Sequence, residues 1–420
     1  MFALIDCNNF FVSCERLFLP ALREKPVVVL SNNDGCVISR SNEAKAIGVP
    51  MGAPMFEIRD LLKREKVHSF SSNFQLYGDI SNRVMQILQR FSPEVDVYSV
   101  DEAFLDLSGT PDGKFEEVGE DIRRTVLQWT GIPVSVGIAP SRTLAKLAAG
   151  ISKKQGKTFL LIEEETLREV RRRTPVEDIW GIGRKLSASL RMAGIGTAEE
   201  LANTNETWIR QKYNVMMQRK VLELRGIPCE SGEHESSGKN AIMASRSFGT
   251  PLTKLEDVQE AVTSYTARAS RKLREQQSVA RVVSVYIQTN RHNPRERYYA
   301  NYQMVELPSY TDDTAEIARF AREAMKKIFV PGLRYKKCGV TLMDFAPAGN
   351  FQQSLLDDAE TVLKRQRQHQ LMLVVDKMNR KLGGDTLKFG GEGIAQKWTA
   401  KSEHCSPRYT TRWKDIPLVN

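Results

Sequence analysis

Three carboxylates stand where packing alone would favour apolar side chains. Asp6 is the only charge in the opening run MFALIDCNNFF, which reads as an apolar strand. A lone acid in such a strand is costly to bury unless a positive group meets it. Asp101 and Glu102 lie in VDVYSVDEAFLDLS, residues 95–108, where β-branched and aromatic residues predict two short strands with the acidic pair at their junction. Asp6, Asp101 and Glu102 together are a set of hard oxygen donors of the kind that holds two divalent metals about 4 Å apart for in-line phosphoryl transfer. Singly, such acids read as solvated turn residues, so the surrounding sequence has to decide.

The elements that would position them can be read along the chain. KPVVVLSN is a fully apolar strand, and NNDGCVISRSNEAKAIGV runs from a turn through a strand into a helix. FSSNFQLYGDISNRVMQILQRFSPEV carries Ile80, Val84, Ile87, Leu88 and Phe91 on one helical face and leads into the acidic hairpin. A second amphipathic helix, EEVGEDIRRTVLQWTG, precedes the buried-looking strand IPVSVGIA, and TLAKLAAGISKKQGK is a helix ending in a basic loop with Lys153 and Lys154. Alternation of this type predicts a mixed sheet backed by helices. Further on, VEDIWGIGRKLSASLRMAGIGTAEELA has the pattern of a helix-hairpin-helix, with Gly181 and Gly183 in the hairpin and Leu186 and Leu190 inward. Glycine there lets main-chain N–H groups approach a nucleic-acid phosphate at a helix N-terminus without regard to sequence. ELRGIPCESGEHESSGKN reads as a linker. Beyond it SRSFG, RVVSVYIQT and KKCGVTLMDF read as strands and EDVQEAVTSYTARASRKLREQQ and DTAEIARFAREAMKKIF as helices.

A chain of 420 residues needs three or four domains, and 41% apolar residues suit a soluble globular protein. No run of about 18 apolar residues and no signal core is present, which predicts a cytoplasmic, nucleoid-associated protein with no membrane partner. The six cysteines contain no Cys-x-x-Cys pair, and the five histidines are dispersed. Neither a zinc site, a disulfide framework nor a Ser-His-Asp arrangement is indicated. Charge is divided unevenly: residues 1–166 carry 19 Lys and Arg against 22 Asp and Glu, and residues 167–420 carry 42 against 29. That split places an acidic metal-holding site first and a polyanion-binding surface second.

The two acidic motifs, FALIDCNNFFVSCE and YSVDEAFLDLSG, resemble the palm signatures of the Y-family DNA polymerases, in the same order and separation. The resemblance implies an α+β multidomain right-hand fold: palm at 1–11 and 72–166, small fingers at 12–71, helix-hairpin-helix thumb at 167–228, linker at 229–242, little finger at 243–347 and a C-terminal tail at 348–420. It implies two Mg2+ held by Asp6, Asp101, Glu102 and the main-chain carbonyl of Cys7. Phe11 is then the steric gate against ribonucleotides, where tyrosine is usual. Lys45, Arg40 and Lys153 are the implied triphosphate contacts, although Asn42 stands where the family commonly has tyrosine. Gly181, Gly183, Arg246 and Arg281 are the implied DNA contacts. FQQSLLDD resembles a sliding-clamp peptide with Gln352, Leu355 and Leu356 as anchors, Leu356 standing where phenylalanine is usual. The remaining tail resembles that of a branch working with a processed UmuD-type dimer, RecA and the sliding clamp. Error-prone translesion nucleotidyl transfer from dNTPs to a primer 3′-hydroxyl, in damage tolerance and SOS mutagenesis, is the implied function. Its rivals are another two-metal nucleotidyl enzyme, such as a cyclase or a nuclease, and a non-catalytic DNA-binding scaffold.

Overall fold

The computed structural model describes residues 1–229, 238–349, 359–384 and 386–417. The chain divides into two compact units, Met1–Glu235 with Glu403–Asn420, and Ser236–Ser402. In the first unit the order is β1 (Phe2–Cys7), α1 (Phe10–Phe18), β2 (Val27–Leu30), β3 (Val37–Arg40), α2 (Asn42–Ala46), α3 (Met55–Arg64), β4 (His68–Ser71) and α4 (Phe74–Leu88). There follow β5 (Val95–Val97), β6 (Glu102–Asp106), α5 (Phe115–Thr130), β7 (Val134–Ala139), α6 (Arg142–Gln155) and β8 (Phe159–Leu160). Five helices then run without a strand: α7 (Glu164–Arg173), α8 (Arg184–Met192), α9 (Ala198–Asn203), α10 (Glu206–Lys212) and α11 (Val215–Leu224).

The central sheet has the order β5-β6-β1-β7-β8, with β1 antiparallel to both β6 and β7. Strand alternation divides β1 between two cores. Ala3, Ile5 and Cys7 pack with α4 and α5 residues such as Leu76, Val84 and Ile122. Leu4 packs on the other face with Leu144, Ala145 and Ala148 of α6, so Asp6, two residues on, shares the α6 face. Gly137 of β7 explains how closely that helix approaches, because a Cβ there would lie 2.0 Å from the amide nitrogen of Ala149. Backbone therefore rests on backbone.

A second sheet, β3-β2-β4, pairs β2 antiparallel to β3 and parallel to β4. All four β2 residues are buried, Val28 and Leu30 beneath α2 and α3 and Val27 and Val29 toward the main core. His404 and Cys405 lie along the edge strand β4 of this sheet. Ser71 of β4 pairs with Cys405 as a parallel bridge, its N–H donating to the His404 carbonyl at 3.0 Å.

The second unit contains β9 (Ala241–Leu252), α12 (Leu255–Glu275), β10 (Ser278–Thr289), β11 (Ala300–Thr311), α13 (Thr314–Ile328), β12 (Tyr335–Pro347) and α14 (Ala359–Leu382). Its sheet runs β11-β10-β12-β9, antiparallel throughout, with α12 and α13 packed on one face. Arg274 of α12 holds α14 through a buried ion pair to Asp376 at 2.6 Å.

Among the elements that escape the sequence reading are α3, β4, β8, α7, α10, α11, β11 and α14. β11 buries only Leu307 and Thr311, so its residues lack the apolar alternation that signals a strand. β9 begins at Ala241, inside the stretch read as linker. The tail is not one appendage, since α14 belongs to the second unit and residues 403–417 to the first.

Candidate active site

Antiparallel pairing of β1 with β6 sets Asp6 directly opposite Glu102, on the sheet face covered by α6. The Cys7 N–H donates to the Asp101 carbonyl at 2.8 Å and fixes the acidic pair at the mouth of the hairpin. Each carboxylate has its own partner. Lys153 Nζ donates to Asp6 Oδ1 at 2.7 Å, and Lys146 Nζ to Glu102 Oε2 at 2.7 Å. Ser99 Oγ donates to Asp101 Oδ1 at 2.6 Å. Lys146 and Lys153 are seven residues apart, hence on one face of α6, two helical turns from each other. That spacing was a readable signal, yet Lys146 was missed.

The same corner gathers more cations. Lys45 Nζ donates to Asn9 Oδ1 at 2.8 Å and Asn42 Oδ1 at 3.1 Å. Burial, then the neighbouring charges of Lys153 and Arg40, push its ammonium pKa down, while Asp6 pulls it up. The charges of Lys153, Arg40 and Asp6 are therefore felt at Lys45. Arg40 also donates to the Val49 carbonyl, which ties it to the turn after α2. Asn42, where tyrosine was expected, completes this cluster with Asn9, another residue that sequence reasoning passed over.

Phe11 projects from α1 onto Tyr77 of α4, the rings stacked at 4.6 Å and 19°, with Phe74 edge-on at 6.1 Å. Cys7 is wholly buried, and burial followed by the charges of Asp101, Asp6 and Glu102 pushes its thiol well above the usual range while Lys153 opposes them. Its side chain is inert, which leaves the main-chain carbonyl as its only donor of use to a hard cation.

Among the described residues no three His, Cys, Asp or Glu side chains converge as a closed metal cluster. The donor set nevertheless fits a hard divalent cation: carboxylate oxygens from one strand pair, on one face, whose charge two lysines now balance.

The hairpin glycines frame the start of α8. Gly181 has φ +89°, a left-handed backbone open to glycine, and Gly183 caps α8 with nothing within 4 Å of a Cβ position. Trp180 ties the hairpin to the acidic corner, its Nε1 donating to Tyr98 Oη at 3.1 Å while Lys146 Nζ lies 5.4 Å from its ring centre.

In the second unit, Arg246 is opposite Cys338, whose side chain is in the core beneath the helices. Arg246 therefore faces the helix side, beside Tyr265, and not the open face of the sheet. Arg281 pairs with Glu306 at 2.8 Å. The open face instead carries Tyr286 and Tyr302, paired across strands, with Lys337 Nζ 5.9 Å from the Tyr286 ring centre. Gln352, Leu355 and Leu356 lie outside the described residues.

The sheet with its paired carboxylates and the β-rich unit that follows the helical region define a polymerase fold of the Y type. The solved Y-family DNA polymerase chimera Dbh-Dpo4(243-245)-Dbh is similar to this chain with a TM-score of 0.66, at 19% identity, over 83% of this chain and 100% of its own. Residues 5–150 match the impB/mucB/samB family, residues 239–355 its C-terminal domain, and residues 369–419 a domain of unknown function, DUF4113. Protein UmuC of Salmonella typhimurium is 44% identical over 424 residues, 100% of both chains. DNA polymerase IV of Desulfatibacillum aliphaticivorans is 27% identical over 393 residues, which span 92% of this chain and 93% of its own. The chain belongs to the impB/mucB/samB family and is a UmuC-like, DNA-directed DNA polymerase of the translesion type. Y-family polymerases depend on divalent metal, in keeping with the acidic donors.

Proposed function

We propose that Asp6, Asp101 and Glu102, with the Cys7 carbonyl, hold two Mg2+ and that the chain adds a deoxynucleotide to a primer 3′-hydroxyl opposite a template base. The cross-strand pairing of Asp6 with Glu102 carries this reading, since it sets two carboxylates opposite each other on adjacent strands, on one face of the sheet. When bound, the ions supply activation of the hydroxyl and charge neutralisation at the α-phosphate and leaving pyrophosphate. The protein's own part is electrostatic and steric. Lys153, Lys45 and Arg40 receive the triphosphate, Lys153 leaving Asp6 as phosphate oxygens arrive. Phe11, backed by Tyr77, lies where a 2′-hydroxyl would stand and excludes it. Gly181 and Gly183 offer main-chain N–H groups to a backbone phosphate, and Tyr286, Tyr302, Lys337 and Arg281 line the sheet for the duplex. Palm, fingers, thumb and little finger correspond to the central sheet, the β2 sheet, α7–α11 and the β9–β12 unit. A processed UmuD-type dimer, RecA and the sliding clamp are the proposed partners, the clamp through Gln352, Leu355 and Leu356, in a cytoplasmic setting.

Primer extension on undamaged and abasic templates with magnesium, with and without the UmuD-type dimer and RecA, tests the reading. Extension by the wild type that disappears in both Asp101→Ala and Glu102→Ala is the expected result. Activity retained in either variant removes the metal assignment, and DNA binding without extension under every condition favours the scaffold.

A further inference from the structure

We propose that Ser406, in the tail, is a positioning residue for sugar discrimination, acting on Phe11 through Glu15 and Tyr77. The proposal rests on reading Phe11 as the steric gate. It begins from a carboxylate that no catalytic role explains. Glu15 is on α1 at 0% exposure, and the groups acting on it are burial, which raises its pKa, and two hydroxyls, which lower it. Tyr77 Oη donates to Glu15 Oε1 at 2.6 Å, and Ser406 Oγ donates to the same oxygen at 3.0 Å.

Phe11 and Glu15 are four residues apart on α1, so they lie one above the other on a single helix face. Tyr77 spans both. Its ring backs Phe11 at 4.6 Å and its hydroxyl is tied to Glu15, so the far end of the backing ring is anchored by a carboxylate. Ser406 supplies the second donor to that carboxylate from the opposite end of the sequence.

The tail is held there by specific bonds. Asn73, the N-cap of α4, donates through Nδ2 to the Ser406 carbonyl at 3.1 Å, to Ser406 Oγ at 3.0 Å and to the Pro407 carbonyl at 3.1 Å. His404 N–H donates to Ser71 Oγ at 2.9 Å, and the Tyr409 ring stacks on Phe18 of α1 at 4.4 Å. Residues 404–409 thus grip both helices that carry the gate, α1 and α4. The hydroxyls of Tyr77 and Ser406 meet on one buried oxygen of Glu15, and loss of the Ser406 bond leaves that side chain under-satisfied and freer to turn. Tyr77 then loses a fixed anchor, and Phe11 a fixed backing. The domain of unknown function matched at 369–419 would thereby gain a role in substrate selection.

The test compares single-nucleotide insertion of matched dNTP and rNTP by full-length wild type, Ser406→Ala, Ser406→Thr, Tyr77→Phe and Phe11→Ala, with the thermal midpoint of each. Phe11→Ala is expected to raise the ratio of ribonucleotide to deoxyribonucleotide kcat/KM strongly. Ser406→Ala and Tyr77→Phe are expected to raise it about fivefold, mostly by lowering the rNTP KM, and Ser406→Thr to restore it. A wild-type ratio in Ser406→Ala and Tyr77→Phe beside a raised ratio in Phe11→Ala overturns the proposal and leaves the gate intact. An unchanged ratio in Phe11→Ala overturns the gate and the proposal together. A lowered thermal midpoint with no change of ratio assigns Ser406 a structural role only, which also overturns it.

Discussion

At the scale of single residues, the acidic corner is a balance of charges that substrate binding must rearrange. Lys153 neutralises Asp6 at 2.7 Å, and a triphosphate gives that ammonium a better partner. Lys153→Ala is expected to raise the dNTP KM about tenfold with a smaller fall in kcat, measured by steady-state insertion. Glu15 behaves differently. Its pKa is raised on folding, so the stability it contributes is complete below the unfolded carboxyl value and is lost as pH rises through the folded one. Glu15→Gln removes that dependence, and its thermal midpoint is expected to gain on the wild type between pH 5 and pH 8. Asp6, Asp101 and Glu102 were legible because a charge inside an apolar run is an anomaly. Lys146 had a signal in its seven-residue spacing from Lys153 on α6, but Asn9 and Ser406 had none, because an asparagine or a serine is ordinary until a distant segment is brought to it.

At the scale of elements, α6 is the part that makes the site, since it carries both lysines and packs backbone to backbone on β7. Gly137→Ala would force the Ala149 amide away from a contact at 2.0 Å. The expected cost is about 1–3 kcal/mol of stability together with loss of primer extension, read by denaturant unfolding and by insertion assay. Gly150, on the same helix, has nothing within 4 Å of its Cβ position, so Gly150→Ala serves as the control that keeps primer extension and costs no stability, alanine being the better helix former. The helices α4, α5 and α6 and the strands β1 and β7 were readable from periodicity because each buries one whole face or both. β4 and β11 were not: β4 is only His68–Ser71, and β11 exposes most of its length. Strands of that kind are specified by their neighbours more than by their own residues. The side of the sheet on which Arg246 falls was likewise invisible, because it depends on register with Cys338.

At the scale of the whole molecule, the paired motifs anticipated the polymerase architecture. What composition could not foretell was the path of the tail, which returns to the unit where the chain began. The second unit is therefore inserted into the first and carries a connection at each end. Closing a chain in this manner converts release of either connection into an intramolecular event, with the docked strand at high effective concentration. A protease site introduced between residues 229 and 238 and cut under native conditions is expected to give two fragments that still co-elute, held by residues 404–409 on α1 and α4. Asn73→Ala, which removes three of the bonds to that strand, is expected to let them part. The polymerase would thus behave as its own fragment-complementation pair.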